Sequence, residues 1–496
     1  MTAPPYSTAN APEWQRLSPR MLLVHPVHEV LRQLPLLIGS IVLGSATGSP
    51  VWMLLGVGSI VALGLARWFT TTYRIDDQDV SLRTGVLQRN ALSVPRNRIR
   101  SVQTEARLLH RLLGLTVLRV STGQQATGDG VFELDAVETS QVQQLRAMLL
   151  ADAVQAGQQG DPERPPAAAV VLASWKPSWL RYSPLSASGL LMILAAVGLM
   201  FQAGFADTLR ESAVVQSGVD AAARFGTATA VAAVLVVVLL ASVVLAVVRS
   251  LLTYGNLVLT HRTDTLHLTH GLLRVREYTY DLRRLRGGTL REPLLVRAMG
   301  GARLDAVMTG VSGMGESSLL LPPCPTATAQ RVLTDLVGSA EVVSGPLIAH
   351  GPAAVRRRWF RALVVPAVAL IAAVIAGLTV GAPGWVWPLW AVLTVLCVLL
   401  AIDRVRALGH RVDGRWLVAR SGSVERRRDC VQTDGIIGWT VRQTYFQRRA
   451  KVATLVAATA AGTKRYEVLD VPAESAWTVA ATASPWVAES VWAHHN

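Results

Sequence analysis

Apolar residues gather in runs of membrane length along this chain, and polar residues gather between them. The runs cover 34–69 (broken at Gly48-Ser49-Pro50), 185–205, 228–248, 362–380 and 385–402. A bilayer core takes about 20 apolar residues in helix. Lipid offers no partner to unpaired backbone groups, so each run or half-run predicts a spanning helix. Together they predict six spans in three hairpins, at 30–69, 183–250 and 359–403. Three polar segments alternate with the hairpins, at 70–154, 251–340 and 404–496. A polar tail fills 1–29, a linker and interfacial segment 155–182, and a second linker 341–358.

Inside the polar segments the period changes from helix to strand. Residues 73–83 read as strand, turn, strand: Val80 and Leu82 alternate with polar neighbours, and Asp76-Asp77-Gln78-Asp79 supplies the turn. A strand over 86–94 stops at Pro95. A helical turn over 108–113 precedes Gly114, and 115–122 is rich in β-branched residues. After a strand near 131–134, residues 139–150 predict an amphipathic helix. The corresponding closing helices are expected at 325–337 and 485–495. Short strands followed by one helix predict a small β-sandwich or barrel closed by a C-terminal helix.

The three segments are copies of one another. Leu82-Arg83-Thr84-Gly85-Val86-Leu87 matches Leu268-Thr269-His270-Gly271-Leu272-Leu273 at an offset of 186. The third copy runs at an offset of 337, placing Gly422 on Gly85, Ile436 on Ile99 and Gln447-Arg448 on His110-Arg111. Such a repeat predicts one folding unit per copy, and three linked copies can imitate a trimeric ring.

Composition agrees with a membrane protein: 51% hydrophobic against 16% charged, with a mean hydropathy of +0.36. Charge then sets the orientation. The polar stretches 67–181, 249–361 and 404–496 carry net charges of +3, +7 and +6, against −1 for the connection 206–227. Arg67, Arg249, Arg356–Arg358, Arg361, Arg404 and Arg406 flank the apolar runs, so both termini and all polar segments are expected in the cytoplasm. The N-terminal tail lacks a basic-then-apolar opening, and the first span is expected to act as insertion signal. Eight tryptophans, among them Trp175, Trp179, Trp359 and Trp385, sit near span ends as interfacial aromatics do. The stretch 175–182 is expected to lie along the cytoplasmic surface. Cys324, Cys397 and Cys430 are scattered and read as reduced and structural.

A membrane hairpin leads into Tyr73-Arg74-Ile75, Gly85-Val86-Leu87, Val94-Pro95-Arg96-Asn97-Arg98-Ile99-Arg100 and Leu112-Leu113-Gly114-Leu115. This resembles the bacterial pleckstrin-homology-like domain of the YdbS/YdbT-like membrane proteins. His25-Pro26 before the first run is similar to that family's opening as well. The resemblance takes in the whole chain, with looser second and third copies: Asp281 stands where Pro95 would, and Lys451 where the others have glycine. It implies three cytoplasmic pleckstrin-homology-like (PH-like) sandwiches on a multi-pass inner-membrane protein, and no catalytic activity. It also implies a smaller PH-like membrane protein of the same family as a partner.

The most suggestive constellation is Arg96, Arg98 and Arg100. Residues two apart share a strand face, so three guanidiniums would form a stripe. Copy two offers Arg283, Arg284 and Arg286, and copy three has Arg426–Arg428 elsewhere in its sequence. Two roles fit: a solvated basic face, or a site for anionic lipid headgroups or a partner protein. No metal cluster, cofactor motif, nucleophile elbow or intramembrane carboxylate pair stands out, so neither a cofactor nor a metal is expected. The net charge of +15 comes without a groove-reading motif, which argues against nucleic acid. The expected function is a non-enzymatic scaffold or envelope-protection factor; the competing class is a component of a lipid or peptide export system.

Overall fold

A computed structural model of the chain describes residues 14–16, 69–145 with short breaks, 169–185, 227–310, 318–379 and 383–489, plus single positions at 51, 58, 66 and 381. The chain divides into two units: Met1–Ser174 with Asn256–Arg284, and Trp175–Gly255 with Leu285–Asn496.

In the first unit, β1 (Gln15–Arg16), β2 (Thr72–Ile75), β3 (Asp79–Thr84) and β4 (Asn90–Pro95) form an antiparallel sheet in chain order. The acidic turn closes as expected, with the Asp76 N–H donating to the Asp79 carbonyl at 2.8 Å. The second sheet contains β5 (Ser101–Ala106), β6 (Leu115–Ser121), β7 (Phe132–Glu138) and β8 (Val170–Ser174). It also takes in β9 (Val258–Arg262), β10 (Thr265–His270) and β11 (Val275–Asp281), in the order β7-β6-β5-β11-β10-β9-β8. A helical turn, α1 (Leu108–Leu112), joins β5 to β6. The alternation seen in the sequence puts Val80, Leu82 and Val94 of one sheet against Leu118, Phe132 and Leu134 of the other. Each such side chain contributes about 1.5–3 kcal/mol by leaving water. The closing helix is present where it is described, at 139–142 and 144–145, and Val142 plugs the core.

The second unit opens with a 3₁₀ helix at Pro177–Leu185 and continues with α2 (Thr227–Tyr254). Then come β12 (Leu285–Pro293), α3 (Leu294–Ala298), β13 (Gly301–Met308), β14 (Leu319–Pro325), α4 (Thr326–Val337) and α5 (Ala340–Ser344). Two long helices follow, α6 (Gly351–Thr379) and α7 (Val386–Ala407). The last segment runs β15 (Gly409–Val412), β16 (Trp416–Ser421), β17 (Glu425–Gln432) and β18 (Ile436–Arg442), then α8 (Tyr445–Arg449), β19 (Val452–Thr459) and β20 (Arg465–Pro472). It ends with α9 (Ala476–Ala483) and α10 (Pro485–Ala488). The sheets are β14-β13-β12-β17-β16-β15 and β18-β19-β20. Leu417 and Ala419 pack against Leu455, Ala457, Val468 and Ala480, a second sandwich closed by a helix. That helix, Ala476–Ala483, precedes the expected 485–495, of which Pro485–Ala488 is helical and 490–495 lie outside the described residues. A stripe of small residues, Ala476, Ala480 and Ala483, buries it without the polar alternation that marks an amphipathic helix.

The repeat is visible in the backbone. α1, α3 and α8 begin at 108, 294 and 445, reproducing both offsets. The residue that turns each chain back into the next strand has a positive φ: Gly114 (68°), Gly300 (72°) and Lys451 (53°). The sheets, however, do not stop at the copy boundaries. The middle copy gives β9–β11 to a sheet of the first unit and β12–β14 to a sheet of the second.

Three helical stretches are long and apolar enough to cross a membrane: Val236–Tyr254, Gly351–Thr379 and Val386–Ala407. At 1.5 Å per residue the 29 residues of α6 reach about 43 Å, more than a bilayer core. Their side chains face outward, Leu378 being 84% exposed, as a lipid-facing surface requires. The runs expected to span at 34–68 and 186–205 lie outside the described residues, apart from single positions at 51, 58 and 66.

Candidate membrane-surface site

The long helices meet the sheets of the second unit through buried ionic contacts. The first turns of α6 carry Arg356, Arg357, Arg358 and Arg361. Arg358 Nη2 donates to Asp470 Oδ2 at 3.0 Å, and Arg357 pairs with Oδ1 of the same carboxylate. Asp470 is 2% exposed and sits in β20 at a φ of 56°. Gln447 of α8 donates to Asp470 Oδ1 at 3.0 Å and to Thr454 Oγ1 at 2.8 Å. Its Oε1 accepts from the Thr444 N–H at 3.0 Å, half of a capping box at the start of α8. One carboxylate therefore fastens both α6 and α8.

His350 precedes α6 and contacts the Leu469 carbonyl through Nδ1 at 2.7 Å. A carbonyl only accepts, so Nδ1 carries the proton and Nε2 presents a lone pair to His410 Nδ1 at 2.8 Å. Burial holds both imidazoles below their ordinary range, His410 at about 4.

α7 is held in the same manner. Asp403 accepts from Arg297 of α3 and Arg426 of β17, both at 2.7 Å. Arg420 donates to the Ala407 carbonyl at 3.0 Å and the Arg406 carbonyl at 2.9 Å, where the helix end carries partial negative charge. Next to α3, Tyr182 of the 3₁₀ helix lies so close to Gly301 that a Cβ there would fall 2.5 Å from its ring.

Both α3 and α8 are thus tied to the domain-side ends of apolar helices, and both expose apolar side chains. Leu295 is 57% exposed, Phe446 67% and Tyr445 72%. In the first unit α1 exposes Leu109 and Leu112. The offsets of 186 and 337 carry Leu109 onto Leu295 and Phe446, and Arg111 onto Arg297 and Arg448. An apolar residue followed two positions later by arginine recurs in all three copies. Arg448 and Arg449 are exposed, with no carboxylate partner among the described residues. Short helices with an apolar face and flanking arginines suit the boundary between headgroups and acyl chains.

The arginines singled out in the sequence are placed differently. Arg96, Arg98 and Arg100 lie outside the described residues. Arg283 and Arg284 lie in a 3₁₀ turn, Leu282–Arg284, where they pair with Asp264 (3.0 Å) and Asp281 (3.4 Å). Arg286 lies in β12 and donates to Gln432 Oε1 at 3.2 Å. In copy three, Arg426 holds Asp403, Arg427 pairs with Glu425 at 2.6 Å, and Arg428 donates to the carbonyls of Val342 and Gly345. The helical turn of α1 is legible in the sequence, but the exposure of its apolar residue and of the equivalents in α3 and α8 is not, although their repeated apolar–x–arginine pattern is written in the residues.

A model of the bacterial PH domain matches residues 30–153 and 360–484, together half of the chain. The chain belongs to that family. Both matches start in an apolar run and continue through the strands to the region of the closing helix, so the family's unit takes in membrane segment and sandwich together. No match was found among curated proteins or among solved structures. PH-like domains are typically non-catalytic, and they suit a lipid- or protein-binding scaffold.

Proposed function

We propose that this bacterial PH family member is a non-enzymatic membrane scaffold of the YdbS/YdbT-like kind. In this reading it has six spans in three hairpins, both termini in the cytoplasm, and three PH-like modules held flat against the inner membrane. Each module dips one short helix into the headgroup layer. The observation that carries the reading is the exposed apolar residue of α1, α3 and α8 at one repeat position, joined in α8 by the exposed Arg448 and Arg449. Burying such a side chain contributes about 1.5–3 kcal/mol, and each arginine beside an anionic leaflet about 1 kcal/mol. In this arrangement Arg448 and Arg449, with Arg96, Arg98 and Arg100 of copy one, face lipid phosphates. Arg283, Arg284 and Arg286 serve chiefly to hold their own turns. Partner proteins, a smaller PH-like membrane protein among them, then dock on the outward surfaces.

The test uses the full-length protein in nanodiscs, with Cys397→Ala and a nitroxide on Phe446→Cys. The label should be reached by oxygen and shielded from a water-soluble nickel chelate. Arg448→Ala with Arg449→Ala should weaken that shielding more in anionic than in neutral bilayers. A label fully open to the nickel chelate in both lipids would end the lipid-surface reading.

A further inference from the structure

Strand pairing between copies follows one rule, which among the described residues leaves two edges open. In the first unit β5 pairs with β11, and Val102 faces Thr279. In the second unit β12 pairs with β17, and Gly288 faces Cys430. Carried back to copy-one numbering by the offsets of 186 and 337, Gly288 falls on 102, while Thr279 and Cys430 both fall on 93. Positions 102 and 93 therefore oppose each other at both junctions. In each, the first strand of one copy's second sheet meets the third strand of the next copy's first sheet, in an identical register.

Two strands of these kinds have no such partner among the described residues. β4, the third strand of copy one's first sheet, is bonded there only to β3; β18, the first strand of copy three's second sheet, is bonded only to β19. Unpaired strand edges are templates for another strand. We propose that β18 of one chain pairs antiparallel with β4 of a second copy of this chain, in the register of the two existing junctions. Position 102 becomes Trp439 and position 93 Ser93, so the ladder runs from Gly438 opposite Val94 to Val441 opposite Ala91. Pro95, which has no N–H, lies one step outside it: the equivalent Gln432 is likewise beyond the β12–β17 ladder, which ends at Gly287–Val431.

The side chains fit this junction. At the existing junctions charged residues meet across the seam and are neutralised, as Arg276 is opposite Glu105, or Arg291 and Arg427 around Glu425. In the new ladder the facing pairs Gly438–Val94, Trp439–Ser93, Thr440–Leu92 and Val441–Ala91 hold no charge, so no repulsion opposes it. Ile437, on the same strand, is 70% exposed. The contact is head-to-tail, and each chain offers both halves. Rotation about the membrane normal keeps the paired chains in one orientation in the bilayer. This proposal does not depend on the lipid-surface reading.

The test uses full-length chains with Cys397→Ala; Cys324 and Cys430 stay, since burial pushes their thiols up to about 12. One tagged chain carries Ala91→Cys and a differently tagged chain carries Val441→Cys. Co-expressed and oxidised in native membranes, they should form a disulfide dimer bearing both tags. Directly opposed positions bring Cβ atoms within about 4.5–5.5 Å. Ser93→Cys against Val441→Cys, two residues out of register, should crosslink several-fold less. Wild type extracted gently should show assemblies of two or more chains by native mass spectrometry. Wild type found only as single chains overturns the proposal, as does an in-register crosslink no stronger than the shifted one. A crosslink that forms only within a chain carrying both cysteines also overturns it, in favour of a chain closing on itself.

Discussion

Arg358 and Asp470 are 112 residues apart in the chain and 3.0 Å apart in the structure, joining the first turns of an apolar helix to the last strand of the final sheet. Arg357 and Gln447 share the same carboxylate, so its loss strands the buried Arg358 guanidinium and takes the charge partner from half-buried Arg357. Removing one partner of a buried pair costs about 3–5 kcal/mol. Asp470→Asn keeps the residue's tolerance of positive φ and removes only the charge. It should lower the thermal midpoint of the detergent-solubilised protein sharply. Arg358→Met combined with Asp470→Asn should lose less than the sum of the two single changes.

The histidine pair makes the same region acid-sensitive. Burial holds His410 at about 4 against 6.5 for a free imidazole, and lowers His350 as well. As pH falls through 6.5 the unfolded chain takes up protons before the folded one does. Stability is therefore complete above about 6.5 and drains away toward pH 4, by about 3 kcal/mol for His410 alone. Unfolding midpoints measured across that window should fall steeply for wild type. They should fall less for His410→Gln, which cannot titrate.

Three equivalent positions separate backbone strain from packing. Gly300 has a φ of 72° with nothing within 4 Å of the place an added methyl would occupy, whereas Lys451 holds the same conformation at 53° with a side chain. A left-handed conformation costs an L-residue about 1–2 kcal/mol. Gly300→Ala should destabilise by about that amount, and Lys451→Gly should stabilise by a similar or smaller one. Chemical unfolding with an unchanged denaturant slope would check both.

Gly287 tests the seam between β12 and β17. Its φ is 136°, and a Cβ would lie 1.9 Å from the Cys430 carbonyl oxygen, which is backbone and cannot step aside. Gly287→Ala should part the two strands locally. Hydrogen exchange of the amides of Gly288–Leu290 should accelerate at least tenfold, while β19 stays protected.

The repeat, the strands of copy one, the closing helix of copy two and the apolar helices can be read from the residues because they rest on periodicity and on fixed turn positions. Gly114 and Gly300 stand at the turns where the backbone takes a positive φ. Strand partners cannot be read in this way. Alternation tells which face of β12 is buried, but not that its edge meets β17. The partners of the copy-three arginines are hidden for a related reason. Spacing places Arg426–Arg428 along a strand, but whether they meet solvent or Asp403, Glu425 and the Val342 carbonyl depends on what packs above them. Leu295 and Phe446 look like ordinary core residues in a sequence, and only their exposure sets them apart.

Because the middle copy lends three strands to one sheet and three to another, the natural cut points of this protein are not its repeat boundaries. A fragment trimmed to 251–340 would bare the edges of both β11 and β12, inviting aggregation during expression. A cut between Arg284 and Leu285 instead leaves each shared ladder whole. Deleting the middle repeat would likewise remove the strand partners of both neighbours.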